Sequence, residues 1–275
     1  MILLVHSSID AAGVNIANSV LENYSFTETK QTYKKNPVYT AEINGSQVSF
    51  LTLNEEAVNA QYLQDDYPNA ELVVFLSRHS SQSGKPTLSV HAPGNFGSAE
   101  LGGLPKTLSV SPAQAMQNAL KALVHYKEQL NLNNYEVSFE CTHHGPSLNV
   151  PTMFVELGSS PEQWSDLKAA KAVACSAMSA VANFSASTSS AVLGIGGTHY
   201  NQRFTTMALV GEAAFGHMIP KYAVHLADSE MLTQCVKKTL EKVPLAVLDW
   251  KGIKSEDKPN LTAALETAGL PFRKV

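Results

Sequence analysis

The chain is short of charge, of cysteine and of long apolar runs, and each shortage narrows what it can be. Charged residues fill only 16% of its 275 positions, against roughly 25% in ordinary soluble domains. Ser, Thr, Asn and Gln take up the difference, which argues against the Lys/Glu ion-pair networks of hyperthermophiles. Cys141, Cys175 and Cys235 are odd in number and lack paired spacing. That rules against a disulfide framework or a Cys-based zinc knot and favours a reducing cytoplasm. No apolar run approaches the ~20 residues of a membrane span, and the N-terminus lacks a basic start followed by a long apolar stretch. Neither His-Glu-x-x-His nor Gly-x-Ser-x-Gly occurs, so the ready-made signatures of zinc peptidases and serine α/β-hydrolases are missing. A formal charge of −4 disfavours broad, non-specific nucleic-acid binding. Residues 201–275 nevertheless hold ten Lys and Arg against eight Asp and Glu. A polyanion would therefore be met locally, with Lys237, Lys238, Lys242, Lys251, Lys254 and Lys258 as candidates beside the plainer reading of a solvated helix face.

What the chain does have is histidine at the ends of apolar runs. The densest case is Val137-Ser138-Phe139-Glu140-Cys141-Thr142-His143-His144-Gly145-Pro146. The pattern recurs where Ile2 to Val5 runs into His6, Leu72 to Ser77 into Arg78-His79-Ser80-Ser81, and Ala191 to Ile195 into Gly196-Gly197-Thr198-His199-Tyr200. Buried strands that end in histidine deliver titratable, metal-capable groups to one edge of a sheet, where substrate can reach them.

Strand and helix patterns alternate along the chain. A strand over Ile2–His6 precedes a helix over 11–21, with Ser8 or Asp10 as cap. Tyr39–Ile43 and Gln47–Leu51 alternate across Asn44-Gly45 and predict a two-stranded ribbon. Leu72–Leu76 reads as a buried central strand, and 93–103 as a long Gly-rich loop. A helix over 112–130 starts at Pro112 with Ser111 as cap, and strand Val137–Glu140 follows. After Met153–Leu157, one helix is expected from Ser159 or Ser160 to Asn183. Strands are expected at 191–195, 222–226 and 245–249, an apolar or Gly-rich stretch at 207–217, and helices at 229–242 and 258–268. The expected fold is a single α/β domain, residues 1–275: a three-layer α/β/α arrangement with a mixed, mostly parallel sheet and an inserted β-ribbon.

Adjacent residues of an extended segment point to opposite sides, so one of His143 and His144 could bind a metal or substrate while the other packs; in a turn both could converge. Glu140 and Glu156 sit in apolar strands where an unpaired carboxylate is costly. Each needs a partner, either an imidazole it orients as at metal sites or an ordinary Arg or Lys. Imidazole and carboxylate ligands suit Zn²⁺. Ser80 lacks a nucleophile elbow, and Cys141, in mid-strand, reads as packed and inert. Gly196 and Gly197 resemble a phosphate cradle only loosely. His125 and His225 read as surface or packing residues, and His6 stays open.

Taken together, Ser77-Arg78-His79-Ser80-Ser81, His91-Ala92-Pro93-Gly94-Asn95, the 140–146 motif, Gly196-Gly197-Thr198-His199-Tyr200 and Gly216-His217-Met218-Ile219-Pro220-Lys221-Tyr222 resemble the archaeal and plant type D-aminoacyl-tRNA deacylases over almost the whole chain. Met218 and Asn201-Gln202 depart mildly from that pattern. The resemblance implies a fold similar to phosphorylases and peptidyl-tRNA hydrolase. It also implies zinc-dependent hydrolysis of the ester between a D-amino acid and tRNA in the cytoplasm, with glycyl-tRNA(Ala) a further candidate substrate and one or two Zn²⁺ as cofactor. On it, His91, His143, His144, Glu156, His199 and His217 are candidate metal ligands, and His79, Glu140, His143, His144 and Glu156 candidate catalytic groups. The Gly196 and Gly197 amides become candidates for the developing oxyanion, and Pro93, Gly94 and Asn95 for a wall against L-enantiomers. Ser80, Lys85, Arg203 and Lys221 are candidates for binding the acceptor end of tRNA. A monomer is expected. A metallopeptidase or amidase, or a silent tRNA-binding module, are the rival expectations.

Overall fold

The computed structural model describes residues 1–185 and 189–275. In chain order its strands are β1 (Ile2–Ser7), β2 (Thr27–Tyr33), β3 (Asn36–Ile43), β4 (Ser46–Leu53), β5 (Leu72–Arg78), β6 (Thr87–His91), β7 (Glu136–Phe139), β8 (Thr152–Gly158), β9 (Val192–Ile195), β10 (Phe215–Ile219), β11 (Ala246–Leu248) and β12 (Phe272–Lys274). Its helices are α1 (Ala11–Asn23), α2 (Leu63–Asp66), α3 (Ala113–Gln129), α4 (Pro161–Trp164), α5 (Leu167–Ala182), α6 (Gln202–Leu209), α7 (Ser229–Lys237) and α8 (Lys258–Thr267).

The result is a mixed α/β fold built on two sheets. The large one runs β2-β3-β4-β1-β5-β8-β6-β7; its central pairs β4-β1, β1-β5 and β5-β8 are parallel, while β8-β6 is antiparallel. The smaller runs β10-β9-β11-β12, all parallel. Every residue of β1 and β8 is buried, as expected for strands covered on both faces. Along β1 the alternation divides two cores. Ile2 and Leu4 face α1, α3 and α5 through Ile16, Leu120 and Val173. Leu3 and Val5 face α2 and the 148–154 region through Leu63, Leu148 and Phe154. The small sheet has its own core with α7 and α8, including Leu193, Leu232 and Leu265.

Several local expectations are corrected. The ribbon turn at Asn44-Gly45 forms, with both residues at positive φ, and β2 adds a polar strand that hydrophobic patterning could not reveal. The single helix expected from 159 to 183 is broken. Asp166 leaves helical geometry and its carboxylate accepts the Lys168 and Ala169 amides, so a new helix starts there. Residues 222–226 form a turn and a short 3₁₀ segment rather than a strand. Helix α6, capped by the Asn201 side chain, and strand β10 occupy the stretch around 207–217. Helix α7 stops at Lys237, and Thr239 bridges to Ser111 instead. Pro112, not Ser111, occupies the cap position of α3.

Candidate active site

Five strand ends converge. β5 ends at Arg78 and delivers His79, β6 ends on His91, and β8 carries Glu156. The segment leaving β7 brings Glu140, His143 and His144, and the segment leaving β9 brings His199. These last two are tied together: Glu140 pairs with Tyr200, and the Cys141 amide donates to the His199 carbonyl at 2.9 Å. Small residues permit the crossing. A Cβ on Gly145 would sit 2.2 Å from the Gly103 nitrogen, and one on Gly158 would sit 2.8 Å from the His79 Cβ, so neither position has room for a side chain.

The side chains form three overlapping groups, His91/His143/His144, Glu140/His143/His199 and His79/Glu140/Glu156. Within each, the donor atoms lie within 4.8 Å of one another, as they must to hold a metal ion. Glu140, with no exposed surface, is the hub. Its Oε2 lies 2.8 Å from His199 Nε2 and 3.6 Å from His143 Nε2, and its Oε1 lies 3.1 Å from His79 Nδ1. Glu156 accepts a hydrogen bond from the Ser77 hydroxyl at 2.5 Å and lies 3.5 Å from His79 Nδ1. His79 Nε2 meets the Tyr200 hydroxyl at 2.5 Å.

Backbone carbonyls set the tautomers of the central pair. His143 Nδ1–H donates to the Cys141 carbonyl at 2.9 Å and His144 Nδ1–H to the Gly145 carbonyl at 2.7 Å, which leaves each Nε2 lone pair free. His144 is held at φ +42°, a conformation unusual outside glycine and often found at functional sites. Gly94 N–H fastens the turn from the other side, donating to the carbonyls of His144 at 2.7 Å and His143 at 3.2 Å. The result is the converging turn rather than the extended segment.

Burial and neighbouring charge divide the ionisation states. Burial and the adjacent imidazoles hold His143 well below the usual histidine range; the same causes bring His144 down to about 4. Burial also opposes charge on His79, but Glu140 and Glu156 outweigh it and push that histidine up to about 11. His91 is drawn upward by Glu156 against full burial. For both carboxylates burial favours the neutral acid, yet the surrounding histidines hold them well below the usual carboxylate range. Neutral imidazoles thus stand beside carboxylates that remain ionised.

Buried polar atoms normally have partners, but among the described residues neither nitrogen of His91 has one within ordinary hydrogen-bond distance, Nε2 standing 3.6 Å from Glu156 Oε2. An imidazole with no exposed surface and two unmet nitrogens, 4.3 Å from the His143 ring, fits a metal-holding set better than a packing residue.

Seven of the expected residues, His79, His91, Glu140, His143, His144, Glu156 and His199, are brought together. His217 is not among them. It is fully buried, with Nδ1 3.1 Å from the Thr142 hydroxyl and Nε2 3.1 Å from the carbonyls of Ser109 and Lys238, so neither nitrogen has a lone pair to spare. The Gly196 and Gly197 amides already donate to the Ile219 and Gly252 carbonyls, which leaves no N–H for an oxyanion. Pro93 pairs with His143, and the Asn95 amide donates to Gly102 and Leu104; both shape the loop. Ser80 lines the cavity over the cluster. Arg203 is paired with Asp249 at 3.2 Å, and the side chains of Lys85 and Lys221 are exposed.

That cavity, of about 480 Å³, also shows what sequence reading missed: Asp10, Glu56 and Arg78. Arg78 binds Glu56 at 2.8 Å, and Asp10 accepts the Arg78 and Gly13 amides, joining the cap of α1 to the end of β5. Tyr200 and Ser77 flank the named histidines in sequence, and that adjacency is their only signal.

Fold and site together define a class: an α/β protein with a buried imidazole-carboxylate centre, able to hold a metal, at the floor of a cavity. The comparisons with known proteins narrow it. A family model described as D-aminoacyl-tRNA deacylase matches residues 66–273. The D-aminoacyl-tRNA deacylase of Thermococcus kodakarensis is 36% identical over 278 residues, covering 99% of both chains. That of Pyrococcus horikoshii is 35% identical over 282 residues, covering 100% of both. A crystal structure of a conserved protein of unknown function superposes with a TM-score of 0.87 at 31% identity, covering 100% of this chain and 95% of that one. The chain belongs to the D-aminoacyl-tRNA deacylase family. Among the described residues no helix is long and apolar enough to cross a membrane.

Proposed function

We propose that this chain hydrolyses the ester joining a D-amino acid to tRNA, releasing both, and that it does so with Zn²⁺. Family membership supplies the substrate class. The observation that carries the chemistry is the set of free Nε2 lone pairs on His143 and His144 beside the unpartnered nitrogens of His91. These three would hold the metal, with Glu156 as a further carboxylate donor. Zn²⁺ in such a site acts as a Lewis acid and lowers the pKa of water toward about 7.

The chain's own groups then divide the proton work. Glu140, kept ionised, would take the proton of the attacking water on its carboxylate, which the His199 Nε2–H holds in place by donating to Oε2 at 2.8 Å. His79, kept protonated by two carboxylates, holds a proton for the departing ribose oxygen, with Tyr200 orienting its Nε2. Ser77 fixes Glu156, and Phe154 and Leu101 line the cavity. Glycine, with no side chain to be rejected, falls within the same reading as a substrate on tRNA(Ala). We read the fold as the three-layer, phosphorylase-like arrangement with β2 to β4 as its inserted ribbon, and the chain as a cytoplasmic monomer.

Purified protein incubated with D-Tyr-tRNA and L-Tyr-tRNA tests this directly. The D-ester should be cleaved at least 100-fold faster; equal rates would remove the chiral reading. Cleavage of small peptides with indifference to tRNA would favour an amidase instead.

A further inference from the structure

His143 and His144 form a partition between two cavities. On one side is the cavity of about 480 Å³ with Asp10, Glu56, Arg78 and Glu156 in its walls. On the other lies one of about 560 Å³ lined by Phe96, Gly97, Leu101, Tyr222, Ala223 and Leu226. Both fall within the ~300–1,000 Å³ range of small-molecule sites. The scissile ester would sit at the partition, with the two halves of the substrate on opposite sides.

We propose that the second cavity takes the 3′-terminal adenosine of tRNA, its base against Tyr222 and Leu226, while the first takes the aminoacyl group. The proposal rests on the deacylase reading for the presence of an adenosine; the allocation of the halves rests on the cavities themselves. Lining chemistry guides the allocation. The first cavity sets three carboxylates, Asp10, Glu56 and Glu156, against Arg78 and His79, and its polar walls offer partners for an α-ammonium group. The second cavity contains a single acid, Glu100. Lys221 stands exposed beside Tyr222.

Shape agrees with lining chemistry. Tyr222 is 51% exposed, yet its hydroxyl is anchored 3.2 Å from His199 Nδ1, so the ring is held in place without being covered. The adjoining backbone, Gly94 and Gly97, carries no side chains to compete for the space. A fixed aromatic face next to apolar side chains is what a nucleobase stacks on.

Ligand-observed NMR with two probes tests the allocation without requiring turnover: 5′-AMP for the terminal nucleotide and D-tyrosinamide for the aminoacyl half. Tyr222→Ala and Leu226→Ala should weaken 5′-AMP about 10-fold, as loss of one stacking contact does, with a smaller effect on D-tyrosinamide. Tyr222→Phe, which keeps the ring, should restore 5′-AMP affinity. Glu56→Gln should weaken D-tyrosinamide alone. Equal 5′-AMP affinity in wild type and Tyr222→Ala, no 5′-AMP binding to wild type, or the reverse pattern would overturn the allocation. Failure to cleave D-Tyr-tRNA would count against the deacylase reading, and these binding constants stay interpretable in that case.

Discussion

His91 and His217 are both wholly buried histidines on interior strands, β6 and β10, and they behave in opposite ways. His217 has every ring nitrogen matched, to Thr142, Ser109 and Lys238. It joins the small sheet to the loop that leaves β7. His91 has neither nitrogen matched and faces two more imidazoles and a carboxylate. The fold gains nothing from that arrangement, since a buried polar group without a partner costs about 1–3 kcal/mol. Burial alone therefore does not mark a functional histidine; His91 stands apart because burial leaves both of its ring nitrogens unmet, where buried His6 leaves only Nδ1 so.

The largest expected effect comes from attacking the unmatched side. His91→Phe or His143→Ala should lower kcat/KM for D-Tyr-tRNA by about 10³-fold or more, with a thermal midpoint close to that of the wild type. If His91→Phe unfolds the protein instead, the contrast with His217 disappears. Glu140→Gln should cost about 10²- to 10³-fold in kcat and leave KM within a few-fold, as measured by steady-state deacylation.

The matched side should respond in stability. Burial holds His217 down at about 4 against 6.5 when exposed, so the folded state favours its neutral form. That contribution is fully present above about pH 6.5, is lost as pH falls from 6.5 to 4, and amounts to about 3 kcal/mol. Urea unfolding across this window should show the decline, to which His143 and His144 add for the same reason, and His217→Phe should remove its own share. At pH 7.5 the same substitution should cost about 1–3 kcal/mol by stranding two carbonyls, while kcat per folded molecule stays within about three-fold. A loss like that of His91→Phe would place His217 in the chemistry. Among the residues of the centre the smallest effect is assigned to Tyr200→Phe, about 10-fold in kcat with KM unmoved, because it orients His79 without touching substrate.

Much of the centre was legible in the sequence because histidine and glutamate interrupt apolar strands there, and apolar strands end at one edge of a sheet. His79, Glu140, His143, His144 and His199 all carried that signal. His217 entered only through the family resemblance, and the positions of the Ser109 and Lys238 carbonyls, more than a hundred and about twenty residues away in sequence, show that its nitrogens are spent. The oxyanion assignment to Gly196 and Gly197 met the same obstacle: glycines after a strand look available until their carbonyl partners are placed. Arg78 was visible only as the neighbour of His79 and Asp10 only as a helix cap; that they and Glu56 share a cavity could not be read, because their association depends on strand order β4-β1-β5. In the fold, period and turn chemistry revealed β3, β4, β5 and α3. The helix break at Asp166 and the polar strand β2 depended on capping and pairing that apolar periodicity does not encode.

Bound zinc and D-Tyr-tRNA turnover measured on one sample, as the protein is stripped with chelator and then refilled, test the central claim most directly. The two quantities should fall together and return together, and His91→Phe should lack both. Full turnover by the stripped protein would contradict the claim that the unmatched imidazoles exist to hold a metal.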